Sequence, residues 1–347
     1  MVNLNYYWKK KTLLSFIAVI FVIIIHNSAT NQYSLPPDPL VNTTHFIHNT
    51  LAYGIGAIAV PIFFFISGFS MFRNYTSKLY LRKVKSRVKT ILIPYLIWNI
   101  IGLLFCILYT YTPLSTIISG RETFTPTIKN ILEGIFLYKY NFQFWFLYDL
   151  IIFVILTPIF NFIVSRKWLG IIFGIIFLIL PIFTESFLNI NLYFVIFYYL
   201  GCLFGKHYLK TFSSHLPKKY SASVGVLFII LLIIKILAIY NLLQLPIIIS
   251  QLILVLLLVS AWFFSDLLIP KSKLPNFTNE FFPIYTLHTY FLAIIIKIIY
   301  LFLPKTSLFL LINEISSTVL TVILTTTLAY FWHQRLPKSY QIMFGHK

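Results

Sequence analysis

Cysteine, acidic residues and charge of any kind are scarce in this 347-residue chain, and each shortage excludes something. There are two cysteines, Cys106 and Cys202, and both fall inside apolar runs. That excludes a disulfide framework and a cysteine-rich metal cluster. Charged residues make up 10% of the chain and hydrophobic ones 59%, with a mean hydropathy of +0.88, which excludes an ordinary soluble domain. No low-complexity segment and no internal repeat stands out. Acidic residues number 8 against 27 Lys and Arg, so the formal net charge is +19. The basic residues are scattered over short connecting segments rather than gathered on one stripe, which argues against nucleic-acid binding.

What the chain has in quantity is charge-poor apolar runs. A bilayer crossing needs ~17–25 residues of helix. Ten runs approach that length, at roughly 12–29, 51–71, 90–111, 143–164, 168–184, 190–205, 222–241, 245–265, 281–303 and 307–333. The fifth and sixth are short. The expectation is an all-α polytopic membrane protein of about ten transmembrane helices in one bundle, with residues 1–347 forming a single integral membrane domain. Taken alone, the basic start Lys9–Lys11 before an apolar run could be a secretory signal. Nine further runs favour a retained first helix.

Orientation follows from counting. With the N-terminus inside, twenty-one of the 27 basic residues lie on the cytoplasmic side, including the seven from Arg73 to Lys89. Arg121, Lys129, Lys139 and Lys305 lie outside, and Lys235 and Lys297 fall within runs. The positive-inside rule then predicts a multi-pass protein of the cell membrane with both termini cytoplasmic and contacts to anionic lipids. The outer segments near 30–50 (with Pro36, Pro37 and Pro39) and 112–142 read as loops, and the basic linker 73–89 as an interfacial helix.

Chemistry has few places to sit. His26 ends the run LLSFIAVIFVIIIHNSAT, roughly 21 Å from its inner boundary at ~1.5 Å per residue. An imidazole at that depth is costly unless it is paired or faces a cavity. It reads either as an interfacial histidine bonded to a carbonyl or as a general base. Asp149 reads as an intramembrane carboxylate paired with an intramembrane Lys. Lys297 and Glu314 sit at similar depth across a hairpin and read as an ion pair. His45 and His48 read as solvated loop residues, and His207, His215, His333 and His346 as inner-surface residues. No metal site is visible.

Read in order, His26, VPIFFFISGF (60–69), KSRVKTILIPYLIW (85–98), FWFLYDL (144–150), YYLGCLFGK (198–206) and FPIYTLHTYFL (282–292) resemble the membrane acyltransferase-3 family. The resemblance implies transfer of an acyl group, acetyl being the favoured one, from cytoplasmic acyl-CoA to a hydroxyl of an extracytoplasmic cell-envelope glycan. That is polysaccharide O-acetylation with acetyl-CoA as co-substrate and no bound cofactor. It implies a catalytic His26, and donor-side contacts from Lys85, Arg87, Lys89 and His288. Ser67, Trp145, Asp149 and Tyr285 would line the acceptor side or the cleft. Direct transfer and an acyl-histidine intermediate both remain open. Two positions depart from the family pattern: Ser15 stands where an Arg or Lys usually precedes the histidine by eleven residues, and Thr90 where an Arg often precedes the I-L-x-P element. The rival reading is a transporter or flippase of a surface polysaccharide or its lipid-linked sugar precursor.

Overall fold

The computed structural model describes residues 4–27, 38–113 and 122–345, so Pro36, Pro37, Arg121, His346 and Lys347 lie outside it. The chain is helical nearly throughout. In order come α1 (Leu4–His26), α2 (Val41–Asn49), α3 (Ala59–Phe72), α4 (Tyr80–Arg87), α5 (Ile93–Tyr111) and α6 (Ile128–Phe136). Then follow α7 (Trp145–Ile155), α8 (Thr157–Val164), α9 (Lys167–Ile179), α10 (Val195–His207) and the short α11 (Leu209–Phe212). The chain closes with α12 (Lys218–Ile239), α13 (Ile247–Phe264), α14 (Phe281–Phe302), α15 (Ser307–Arg335) and α16 (Pro337–Phe344). Two-residue strands at Ser186–Phe187 and Ile190–Asn191 pair as a small hairpin.

Among the described residues, six helical segments are long and apolar enough to cross a membrane: 41–72, 77–111, 218–239, 247–267, 276–302 and 307–335. The pair α7 and α8, bent by 63° at their junction, makes a seventh if counted as one span. The segments 167–182 and 192–207 are helical and apolar but shorter. Helix α1 falls outside the six because every long window of it contains Lys9, Lys10 and Lys11. The protein is therefore a multi-pass helical membrane protein. The segment expected to be an outer loop near 30–50 differs from expectation, because residues 41–49 form α2 and run on through π-helical 50–55 and a 3-10 turn into α3. The linker 73–89 holds α4 and enters a second π-helical stretch at 88–92 before α5.

Contacts divide the chain into two compact units. The first takes residues up to 74 with 161–187 and 191–331; the second takes 75–160, 188–190 and the chain from 332 onward.

In the first unit, α3 and α10 meet backbone to backbone. A Cβ placed on Gly68 would lie 2.2 Å from the carbonyl oxygen of Tyr198, and one on Gly201 2.2 Å from that of Phe65. Only glycine permits that approach, which is how membrane helices gain packing without a hydrophobic drive between them. Beside this seam, Phe65, Phe69, Phe204, Phe212 and Trp262 pack as an aromatic cluster with ring centroids 4.6–6.1 Å apart. Tyr7 of α1 stacks on Phe69 at 5.3 Å. The basic start of α1 is anchored as well: Lys10 Nζ lies 2.6 Å from Asp266, and both side chains are fully buried. Tyr6 donates its hydroxyl to the same carboxylate, and the Leu216 N–H reaches its other oxygen at 3.0 Å.

The second unit is pinned by amides and indoles bonded to backbone carbonyls. Asn141 donates to the Trp98 carbonyl at 2.6 Å, Trp98 Nε1 to that of Met343 at 2.8 Å, and Tyr95 to that of Phe136 at 2.7 Å. Gly345, at φ +62°, lies directly against Thr90, so the C-terminal turn occupies the flank of that position.

Candidate active site

His26 is the last residue of α1, and His288 lies in the second turn of α14. Their rings stand 5.3 Å apart between centroids with 32° between planes, which joins two residues 262 positions apart. His288 is fully buried. Its Nδ1 lies 2.6 Å from the carbonyl of Tyr285, one turn earlier on the same helix. A carbonyl only accepts, so Nδ1 carries the proton and the lone pair is left on Nε2. That Nε2 is buried and has no hydrogen-bond partner among the described residues. The Tyr285 ring flanks the imidazole at 6.0 Å between centroids.

Asn27 holds this end of α1 in place. Its side-chain amide lies 2.8 Å from the Glu314 carbonyl, 2.9 Å from Ser317 Oγ and 3.0 Å from Thr318 Oγ1, all on α15. The carboxylate of that same Glu314 meets His48 Nδ1 at 2.9 and 3.0 Å. His48 is thus buried rather than solvated, and the carboxylate that sequence placed opposite Lys297 hydrogen-bonds His48. Further along, α2 docks on the start of α15: Thr44 Oγ1 donates to the Ser307 carbonyl, and Asp38 accepts the Ser307 N–H at 2.8 Å. That N–H holds the Asp38 carboxyl below the usual carboxylate range.

The other expected residues fall as follows. Ser67 is half-buried on α3, next to Gly68 in the glycine seam, and Ser15 is buried within α1. Lys85 and Arg87 close α4, and Lys89 lies in the following π-helical stretch. Both lysines are exposed and Arg87 is half-buried. Trp145 opens α7, where Asp149 is fully buried one turn on. These last five residues belong to the second unit. No cluster of three His, Cys, Asp or Glu suited to a metal ion occurs among the described residues.

Residues 13–332 match the family model described as an acyltransferase domain. The chain belongs to the acyltransferase-3 family. The match begins just after the basic start of α1 and ends near the close of α15, so it contains His26, His288 and the α15 network around Asn27. Membership makes this protein a membrane acyltransferase. No curated protein and no solved structure matches the chain.

Sequence reasoning missed Asn27, His48 and Glu314 as one network. The available signal was a run of polar residues, His26-Asn27 and Glu314 to Thr318, at the ends and depths of otherwise apolar helices.

Proposed function

We propose that this acyltransferase moves an acetyl group from cytoplasmic acetyl-CoA to a hydroxyl of a cell-envelope glycan on the far side of the cell membrane. The observation that carries the reading is the juxtaposition of His26 and His288 within the family's domain. Two imidazoles brought together at the ends of separate membrane helices serve no packing purpose that apolar residues would not serve better.

In this mechanism His26 is neutral at rest. It takes the proton of the acceptor hydroxyl as that oxygen attacks the thioester carbonyl. Lys85, Arg87 and Lys89 bind the phosphates of the donor through charge-assisted contacts. In the first unit, Tyr285 offers aromatic surface and Ser67 a polar contact to a sugar ring or to the donor arm; in the second, Trp145 and Asp149 offer the same kinds of contact. The excess of basic residues on one side supports an orientation with both termini in the cytoplasm.

Inverted membrane vesicles supplied with acetyl-labelled acetyl-CoA test the reading. Label entering envelope glycan supports it. Glycan crossing the membrane without acquiring label would replace it with the transport reading.

A further inference from the structure

The lone pair on His288 Nε2 is the feature the mechanism above leaves unused. His288 was expected to help bind the donor, yet its geometry suits a different task. The Nδ1–Tyr285 bond fixes both the tautomer and the ring orientation, so the atom able to accept a proton is defined. That atom is buried and unsatisfied among the described residues, a condition proteins seldom tolerate without use. The His26 ring stands 5.3 Å from the His288 ring between centroids, with 32° between planes.

A packing role explains this poorly, since a leucine or phenylalanine would fill the space with no orphaned nitrogen. A donor-binding role explains it poorly too. The phosphates of CoA are anionic and call for donors, whereas Nε2 of this tautomer is an acceptor. What fits an oriented lone pair next to a base is a proton passed on from that base. The pair can hold one such proton but not two, because two imidazolium rings this close in an apolar surround repel strongly.

We propose that His288 is a second catalytic residue, the carrier that returns the proton to the leaving thiol. The proposal rests on the acyl-transfer reading. The acceptor oxygen forms its bond to the acyl carbon and loses its proton to His26. The carbon–sulfur bond breaks with its electron pair on sulfur. The proton passes from His26 to His288 Nε2 and from there to the thiolate, releasing CoA thiol and leaving both imidazoles neutral. Protons and electrons balance without a further reagent. The tautomer also fixes the carrier atom, because Nδ1 stays on Tyr285 while Nε2 both takes up and releases the proton.

The test uses the full-length protein in vesicles, with His288→Gln, His288→Ala and His26→Ala compared with the unaltered chain. A proton carrier predicts that His288→Gln lowers kcat at least 100-fold while KM for acetyl-CoA stays within threefold, with normal yield and thermal midpoint. Added imidazoles should restore at least tenfold of the loss in His288→Ala, more for the more basic members of a series. Three results would overturn the role: a raised KM with kcat intact, a His288→Gln variant above one tenth of the normal kcat, or no basicity-dependent rescue. His26→Ala separates the two readings. If it is inactive while His288→Gln is not, only the carrier fails. If it is itself active, the acyl-transfer assignment of His26 fails first.

Discussion

His48 Nδ1 lies 2.9 Å from one carboxylate oxygen of Glu314 and 3.0 Å from the other, with both side chains withdrawn from the surface. Two ionisable groups buried in the membrane part of a protein are costly singly and tolerable as a pair. This pair joins α2 to α15, and through the Glu314 carbonyl it reaches Asn27 and the end of α1.

Removing one member should leave the other uncompensated. His48→Ala or Glu314→Ala should each destabilise the protein by about 3–5 kcal/mol, read as a lowered thermal midpoint in detergent. Replacing both by leucine should recover most of that loss. A double variant as unstable as the sum of the singles would show that the pair is not a unit.

His26 carries the strongest expectation for activity. General-base help is worth ~10²–10⁴ in rate, so His26→Ala and His26→Gln should both lose acetyl transfer by that order while inserting normally. Glutamine keeps a hydrogen bond but cannot take the proton. A glutamine variant with most of its activity left would mark His26 as structural, and acetyl incorporation per mole of inserted protein is the measurement.

The basic edge around α4 should act on donor affinity. Lys85 and Lys89 are exposed, so each contact is worth under about 1 kcal/mol, and Arg87, half-buried, somewhat more. Neutralising Lys85, Arg87 and Lys89 together should raise KM for acetyl-CoA about tenfold, the equivalent of ~1.4 kcal/mol. The effect should shrink in high salt. An unchanged KM would move the donor phosphates elsewhere.

The glycine seam should tolerate almost nothing. A methyl group on Gly68 or Gly201 would sit 2.2 Å from a backbone oxygen, where no side chain can yield. Gly68→Ala and Gly201→Ala should cut the yield of folded protein severely, a loss above about 4 kcal/mol and thus among the large single-residue effects. Gly174→Ala is the control, because its nearest outside atom is a Tyr199 ring carbon at 3.6 Å. Equal yields for all three variants would contradict the packing described.

Much of this was legible before any coordinates. Charge-free runs marked the helices, and motifs picked out His26 and His288 independently. What hydropathy could not register is shape. Hydropathy across 143–164 is silent on the 63° bend near residue 156, which only Pro158 hints at, and TTHFIHN reads as loop until Thr44 and His48 are seen spending their polar atoms on α15. The meeting of His26 with His288 was hidden for a related reason. A helix apolar all round has no periodicity to say which face turns inward, so sequence gives an expected depth for His26 but not its neighbour. The His48 contact of Glu314 was hidden because residues 43–49 read as a solvated loop until α2 is known to be a helix.

The buried bond between Lys10 and Asp266 also has a meaning in time. Helix α1 is made well before α14 and α15, so its polar groups find their partners late: Lys10 at Asp266, His26 at His288, Asn27 at Glu314 through Thr318. At ~5–20 residues synthesised per second, some 250 residues of waiting is roughly 12–50 s. Throughout that interval α1 waits for the partners that Lys10, His26 and Asn27 find in the finished fold. Helix α1 is therefore made early and settles late, and a chain cut short before α14 would leave it without a seat.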